Sequence, residues 1–272
     1  MGNQLILVLG ASGTTGRRLT QRLRADGVAV RAASRHSEAR FDWSDPTTWE
    51  AAVAGATRIY LMAPHGLPAD PSFVRLAVEL GVRQIVLLSS RGIEVMGDER
   101  LLSAERTVRE SGAEWTILRP DWFNQNFDEG FFSPAVLAGE VVLPLDEARQ
   151  VFVDADDIAA VAATVLTEDG HAGRSYELTG PESLAFAEAV EIVGRVSGRP
   201  VRFDGTAEEY LARQKELGLP EEQIQQEIAA FTALRELGDQ VPTDTVRRIT
   251  GRPPKDFPTY AAEASAGGAW RH

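Results

Sequence analysis

The chain has 272 residues, of which 43% are hydrophobic and 25% charged, and its formal net charge is −12. That length and balance suit one large globular domain, or a domain with an appended lobe. The acidic surplus argues against nucleic-acid phosphates or an anionic membrane as the main partner, and the absence of cysteine excludes disulfides, thiolate nucleophiles and cysteine metal sites.

Met1-Gly2-Asn3-Gln4 shows neither a basic leader nor a cleavage pattern. No apolar run approaches the roughly 20 residues of a spanning helix. A cytoplasmic location is therefore expected.

Leu5 to Leu9 is a continuous apolar run, the pattern of a strand buried on both faces. It enters Gly10-Ala11-Ser12-Gly13-Thr14-Thr15-Gly16, and a helix follows from about Thr14 to Ala25, stopped by Asp26-Gly27. A strand turning tightly into a helix presents unpaired amide N–H groups, which favour an anion. Glycine lets the chain turn, lets a pyrophosphate approach, and lets the helix lie against the sheet. The plain alternative is a glycine-rich turn without a ligand. Its position between a strand and a helix favours nucleotide binding.

Val28 to Ala33 reads as the second strand and Ala39 to Asp42 as a short extended piece. Asp45-Pro46 starts a helix to about Val53, with Pro in its first turn. Ile59 to Ala63 is a further strand. Asp70-Pro71 opens the next helix, which Gly81 ends. Ile85 to Leu88 is a strand closed by Ser89-Ser90. A helix from about Glu99 to Ser111 and a strand from Trp115 to Leu118, ended by Arg119-Pro120, complete the series. This β-α repetition predicts an α/β fold of the Rossmann-like, doubly wound type, with parallel strands ordered 3-2-1-4-5-6.

After Pro120 the rhythm changes. Val151 to Val153 reads as a strand, Ile158 to Leu166 as a helix, Tyr176 to Leu178 as a strand, and Ala185 to Val196 as a helix. From about Thr206 the chain reads as mainly helical. Ile224, Ile228, Phe231, Leu234 and Leu237 form an apolar stripe, which suits packing better than a binding groove. Residues 250–272 read as loosely held. The expected division is a dinucleotide-binding core over residues 1–123 and a substrate-side, mainly helical lobe over 124–272, with 151–180 returning to the sheet.

At the end of the second strand, where an acid would bond the ribose hydroxyls of NAD, the sequence reads Ala33-Ser34-Arg35-His36-Ser37. Arg35 offers a fork of donors suited to a 2′-phosphate, so NADP is preferred to NAD. The alternative is a solvated surface arginine. Asp42 and Trp43 could border the adenine, and Trp43 could equally be a core aromatic. Asp154, Asp156 and Asp157 precede an apolar helical pattern and read as caps. They lack the further oxygen ligands of a hard-cation site, so no metal is expected.

The G-x-x-G-x-x-G spacing of Gly10, Gly13 and Gly16 resembles that of extended and atypical short-chain dehydrogenase/reductases. The stretch from Ser111-Gly112 through Thr116-Ile117-Leu118-Arg119-Pro120 to Phe123 and Asn126 resembles a block of the NmrA-like atypical group. Phe152-Val153-Asp154-Ala155-Asp156-Asp157-Ile158-Ala159 and Tyr176-Glu177-Leu178-Thr179-Gly180-Pro181-Glu182 resemble its next two blocks. Within the group the chain looks like a bacterial relative of the ergot-alkaloid iminium reductases of the festuclavine-synthase type. The resemblance implies that Gly10, Ser12, Gly13, Thr14, Thr15 and Gly16 surround the pyrophosphate, and that Arg35 meets the adenosine phosphate. It further implies that Ala63 and Pro64 line the dinucleotide, that Ser89 lies beneath the nicotinamide, and that Pro120, Trp122 and Phe123 flank its amide.

Ordinary short-chain dehydrogenases move the carbonyl proton with a Tyr-x-x-x-Lys pair. None of Tyr60, Tyr176, Tyr210 and Tyr260 has Lys four residues on. The expected activity is therefore NADPH-dependent hydride delivery to an already activated small organic acceptor: an iminium, a quinone or an enone. Ser90, Asp121 and His65 are the candidate assisting groups. Asp121 could stabilise a cation or cap a helix, and His65 could donate a proton or be a plain loop residue. Trp122, Phe123 and Asn124 are expected in the substrate pocket, and Phe127, Phe131 and Phe132 could extend its wall. The alternative function is a non-catalytic NADP-binding redox sensor. Beyond the small-molecule substrate, a second copy of the chain is the macromolecular partner left open, as a homodimer.

Overall fold

The computed structural model describes residues 4–64 and 66–271, so His65 lies outside the described residues. The first half runs β1 (Leu5–Leu9), α1 (Thr14–Ala25), β2 (Val30–Ser34), β3 (Ala39–Arg40), α2 (Trp49–Val53), β4 (Ala56–Met62), α3 (Pro71–Glu79), β5 (Gln84–Leu88), α4 (Ile93–Met96), α5 (Glu99–Arg109) and β6 (Glu114–Pro120). The second half adds α6 (Ser133–Ala138), β7 (Glu140–Val142), β8 (Arg149–Gln150), α7 (Ala155–Thr167), β9 (Arg174–Leu178), β10 (Leu184–Ala185) and α8 (Phe186–Ser197). It ends with β11 (Arg202–Asp204), α9 (Ala207–Glu216), α10 (Glu221–Glu236), α11 (Thr245–Thr250) and α12 (Phe257–Ala266).

A seven-stranded sheet has the order β3-β2-β1-β4-β5-β6-β9, and its pairings are parallel throughout. This is the doubly wound, Rossmann-like order expected from the sequence, extended at one edge by β9. The central strands are apolar at nearly every position because helices cover both faces. On one face Trp49, Phe73, Ala104 and Val108 pack onto Leu7, Ile59, Ile85 and Ile117. On the other, Leu19 and Leu23 of α1 and the nearly all-apolar α7 pack onto Ile6, Val8, Tyr60 and Val86.

Local chemistry places the helix starts. Asp70, Asp98 and Asp154 each accept an amide N–H of the following turn, from Ser72, Leu101 and Asp156 respectively. The stretch from Asp45 opens as a 3-10 turn at Pro46–Thr48 before α2 begins. Val151 to Val153 forms only a single bridge, Val153 to Phe123, rather than a strand. Short pairs β7–β11 and β8–β10 lie outside the main sheet.

A third core, around Phe127, Phe132, Phe186 and Phe257, fills the remaining lobe. The C-terminal stretch that reads as loosely held is instead tied down. Arg252 pairs with the buried Asp157 at 2.8 Å, the Lys255 amide donates to the same carboxylate at 2.7 Å, and the Trp270 indole donates to the Phe127 carbonyl at 2.9 Å. These partners lie about 95 to 143 residues away in sequence, so composition alone gives no sign of them.

Candidate functional site

Parallel pairing brings the carboxyl ends of β1, β4, β5, β6 and β9 to one edge, where this architecture holds its ligands. The glycine turn sits there. Gly10 has φ +64°, which favours glycine, and a Cβ on it would lie 2.2 Å from Met62 Sδ. Gly16 has no room for a side chain, since its Cβ would fall 2.3 Å from the Gly10 carbonyl oxygen. Gly13 is different. Its φ of −82° is ordinary, and its Cβ would meet only the Gly10 oxygen, at 3.2 Å. The backbone therefore requires glycine at 10 and 16, while glycine at 13 keeps the mouth of the turn open.

Gly13 caps α1 without a side-chain hydrogen bond, and the first turn carries no acid. Ala11 N–H is committed to Ala33 O, Gly13 N–H to Gly10 O and Arg17 N–H to Gly13 O. The amides of Ser12, Thr14, Thr15 and Gly16 have no acceptor among the described residues. They form an anion cradle at the positive end of a twelve-residue helix. These residues fit a dinucleotide diphosphate through their backbone. The Thr15 side chain turns inward instead, accepting from the buried Tyr60 hydroxyl at 3.0 Å.

Arg35 follows β2, exposed and without an ion pair among the described residues. Trp43, partly buried, packs edge-on against Phe41 and Phe73, each 5.1 Å away. Asp42 Oδ1 accepts from the Ser44 amide and hydroxyl, closing its own turn.

Met62 abuts the glycine turn on one side and on the other lines a cleft of about 740 Å³. Ala63, Ser89 and Ser90 line this cleft at the ends of β4 and β5, and Asp121, Trp122 and Phe123 line it just beyond β6. Leu234 and Leu237, at the end of α10, cover it, so the apolar stripe on that helix both packs and walls the cleft. Pro120 ends β6, and the Pro64 carbonyl lies 3.4 Å from Arg100 Nη1.

Several expected positions are corrected. Asn124 is fully buried, and neither polar atom of its side chain is hydrogen-bonded among the described residues. Asn126 reaches the cleft instead. The cause is the 3-10 turn Asn124–Asn126, whose three residues per turn send neighbours to different sides. Phe127 and Phe132 belong to the third core, and Phe131 stands on the surface, 69% exposed. Asp121 caps no helix. Its Oδ1 accepts from the Trp122 amide at 2.8 Å and its Oδ2 pairs with Arg91 at 3.1 Å.

The helix α5, expected from the family resemblance to be the place of a Tyr and Lys pair, carries the buried Glu105. Glu105 accepts from Ser89 Oγ at 2.6 Å, from Arg119 at 2.8 and 2.7 Å and from Arg109 at 2.7 Å. Burial alone would raise its pKa, but the Arg119 and Ser89 hydrogen bonds outweigh it and hold the carboxyl below its ordinary value. The Ser89 proton is thereby committed, and only acceptor capacity remains on its oxygen. Ser90 Oγ lies 3.2 Å from the Arg91 carbonyl, to which it donates.

The NAD(P)H-binding family matches residues 10–169, and the NmrA-like family matches residues 99–249. The chain belongs to the NmrA-like NAD(P)H-binding family. An NAD(P)H azoreductase of Xenophilus azovorans is 31% identical to this NmrA-like chain, over 97% of it and 100% of the relative. Festuclavine synthase I of Penicillium roqueforti is 30% identical over 94% and 96% of the two chains. The NADPH complex of a quinone oxidoreductase from Escherichia coli shares the fold, with a TM-score of 0.73 at 21% identity over 96% and 99% of the chains. The family is one of NAD(P)H-dependent oxidoreductases.

Two predictions follow from this NmrA-like geometry. Gly16→Ala should destabilise the fold by about 1–3 kcal/mol through overpacking. Gly13→Val should cost no more than about 1 kcal/mol as a poorer cap, yet weaken dinucleotide binding at least roughly tenfold. Thermal melts and titration of the two variants check this, and similar losses from both would contradict it.

Burial pushes the Asp121 carboxyl up to about 6, against the pull of the Trp122 amide and of Arg91. A carboxyl raised on folding adds stability at low pH, and that contribution is lost as pH rises from about 4 to about 6. Relative to Asp121→Asn, the wild type should therefore lose stability across that interval. Denaturant midpoints read the difference, and a constant difference from about pH 4 to 7 would contradict a raised carboxyl.

Proposed function

We propose that this chain is an NADPH-dependent reductase of small, electron-poor organic acceptors, with iminium ions, quinones and conjugated enones as the acceptor classes. The carrying observation is the cleft itself. It adjoins the anion cradle of α1 and has apolar walls in Trp122, Phe123, Leu234 and Leu237, and neither Tyr nor Lys lines it among the described residues. Each tyrosine hydroxyl is engaged elsewhere: Tyr60 with Thr15, Tyr176 with His171, Tyr210 with Glu227 and Tyr260 with Asp128. A proton relay of the ordinary design is missing, so the acceptor must be reactive before it binds.

A bound dihydronicotinamide supplies the hydride. The chain binds, orients and excludes water. The amides of Ser12, Thr14, Thr15 and Gly16 hold the diphosphate, and the apolar walls press a flat acceptor towards the carboxyl ends of β4 to β6. Ser89, its proton held by Glu105, accepts from a donor such as a carboxamide N–H. Preference for NADPH rests on Arg35, exposed at the end of β2, where no acid precedes Glu38. A relative named as an NAD(P)H azoreductase supports the reductive direction.

The test is loss of NADPH absorbance with a panel of iminium salts, quinones and enones. Turnover with at least one class is expected. Tight NADPH binding with no turnover across the panel would contradict the reductase and leave a redox sensor. Arg35→Asp should weaken NADPH at least roughly tenfold while changing NADH affinity about twofold or less. Equal losses would show that Arg35 does not read the 2′-phosphate.

A further inference from the structure

Three side chains converge on the wall of the cleft just beyond the end of β6. Arg91 Nη1 donates to Asp121 Oδ2 at 3.1 Å, and Arg91 Nε donates to Glu177 Oε2 at 3.0 Å. Its backbone amide is fixed to the Pro120 carbonyl at 3.0 Å. All three residues line the cleft. Arg91 and Asp121 are largely buried, with side chains 19% and 8% exposed, whereas Glu177 is half exposed.

The hydrogen-bonding capacity of this cluster is unequal. Both Asp121 oxygens are committed, one to the Trp122 amide and one to Arg91. Its charge is already answered, so it is poorly placed to stabilise a cationic acceptor. A guanidinium carries five N–H donors, and Arg91 Nη2 has no acceptor among the described residues. The carboxylates hold the arginine in place and leave its tip as an unmatched donor on the cleft wall. Such a donor is met by water until an acceptor atom of a ligand takes the water's place.

We infer that Arg91 Nη2 is the group that receives the negative charge arriving on an oxygen of the acceptor, so that the preferred substrates are quinones and enones rather than iminium ions. This rests on the reductase reading and narrows it. Hydride with its electron pair forms a C–H bond on the conjugated acceptor, the π pair moves onto the carbonyl oxygen, and the resulting oxyanion is held by Arg91. Water then supplies the proton, so acceptor, NADPH and one proton give reduced acceptor and NADP+. A fixed donor beside the developing charge takes over from the missing Tyr and Lys without itself giving up a proton.

The test compares acceptors in one variant. Arg91→Met should lower kcat with a quinone roughly 100-fold or more, the usual cost of losing an oxyanion donor, and change the rate with an iminium salt less than about threefold. Because Arg91→Met leaves Asp121 buried and unpaired, the paired variant Arg91→Met with Asp121→Asn is measured beside it and should behave alike. Independently of turnover, 4-nitrophenol should bind the NADP+ complex as its coloured phenolate in the wild type and as neutral phenol in both variants. Equal losses with quinone and iminium, an unchanged quinone rate, or the same nitrophenol spectrum in wild type and variants would each overturn the role of Arg91. A wild type inert to every acceptor would overturn the reductase reading instead, and the nitrophenol spectrum would still decide what Arg91 binds.

Discussion

The approach of the Gly16 backbone to the Gly10 carbonyl fixes where α1 begins, and the rest of the site is arranged around that contact. With no side chain between them, the helix starts directly at the carboxyl edge of β1, and four amide N–H groups are left without acceptors among the described residues. A single methyl group at position 16 would push the helix away from the sheet and move those amides with it. The same edge gathers the ends of β4, β5, β6 and β9, so the open amides and the cleft, to which we assign phosphate and acceptor, share one side of the sheet. Met62 joins them, touching the glycine turn and the cleft at once.

Two buried carboxyls divide the charge on this edge. Glu105, buried on α5, is locked by two arginines and by the Ser89 proton. It holds β5, β6 and α5 together and is too firmly ionised to exchange protons near neutrality. Asp121 lies on the opposite side of that balance, since burial raises its carboxyl while Arg91 restrains it. One carboxylate is therefore structural and the other lies in the cleft, a separation produced by environment rather than by residue type.

Much of the fold was legible in the sequence because buried parallel strands are written as continuous apolar runs and the intervening helices are punctuated by Asp, Pro and Gly. The strand order followed from that rhythm, and so did the caps at Asp70 and Asp154. Where the chain departs from local rules, the sequence was less informative. Asn124 and Asn126 differ only in phase along a 3-10 turn, and periodicity does not fix which of them faces the cleft. The anchoring of residues 250–272 depends on Asp157 and Phe127, far away in sequence. Arg91, Asp121 and Glu177 are 30 and 56 residues apart, and parallel register, with Pro120 opposite Leu178, is what brings them together. The signal that could have found Arg91 was its position directly after Ser89-Ser90, at the end of a strand whose carboxyl edge was already expected to face the ligand.

The central claim, that the open amides of α1 receive the diphosphate of a nicotinamide dinucleotide, is tested most directly by calorimetric titration of the protein with NADPH at low and at moderate ionic strength. One binding event per chain is predicted, weaker at the higher salt because the contacts involve phosphate charge. Absence of binding heat at both ionic strengths, with the protein folded, would contradict it.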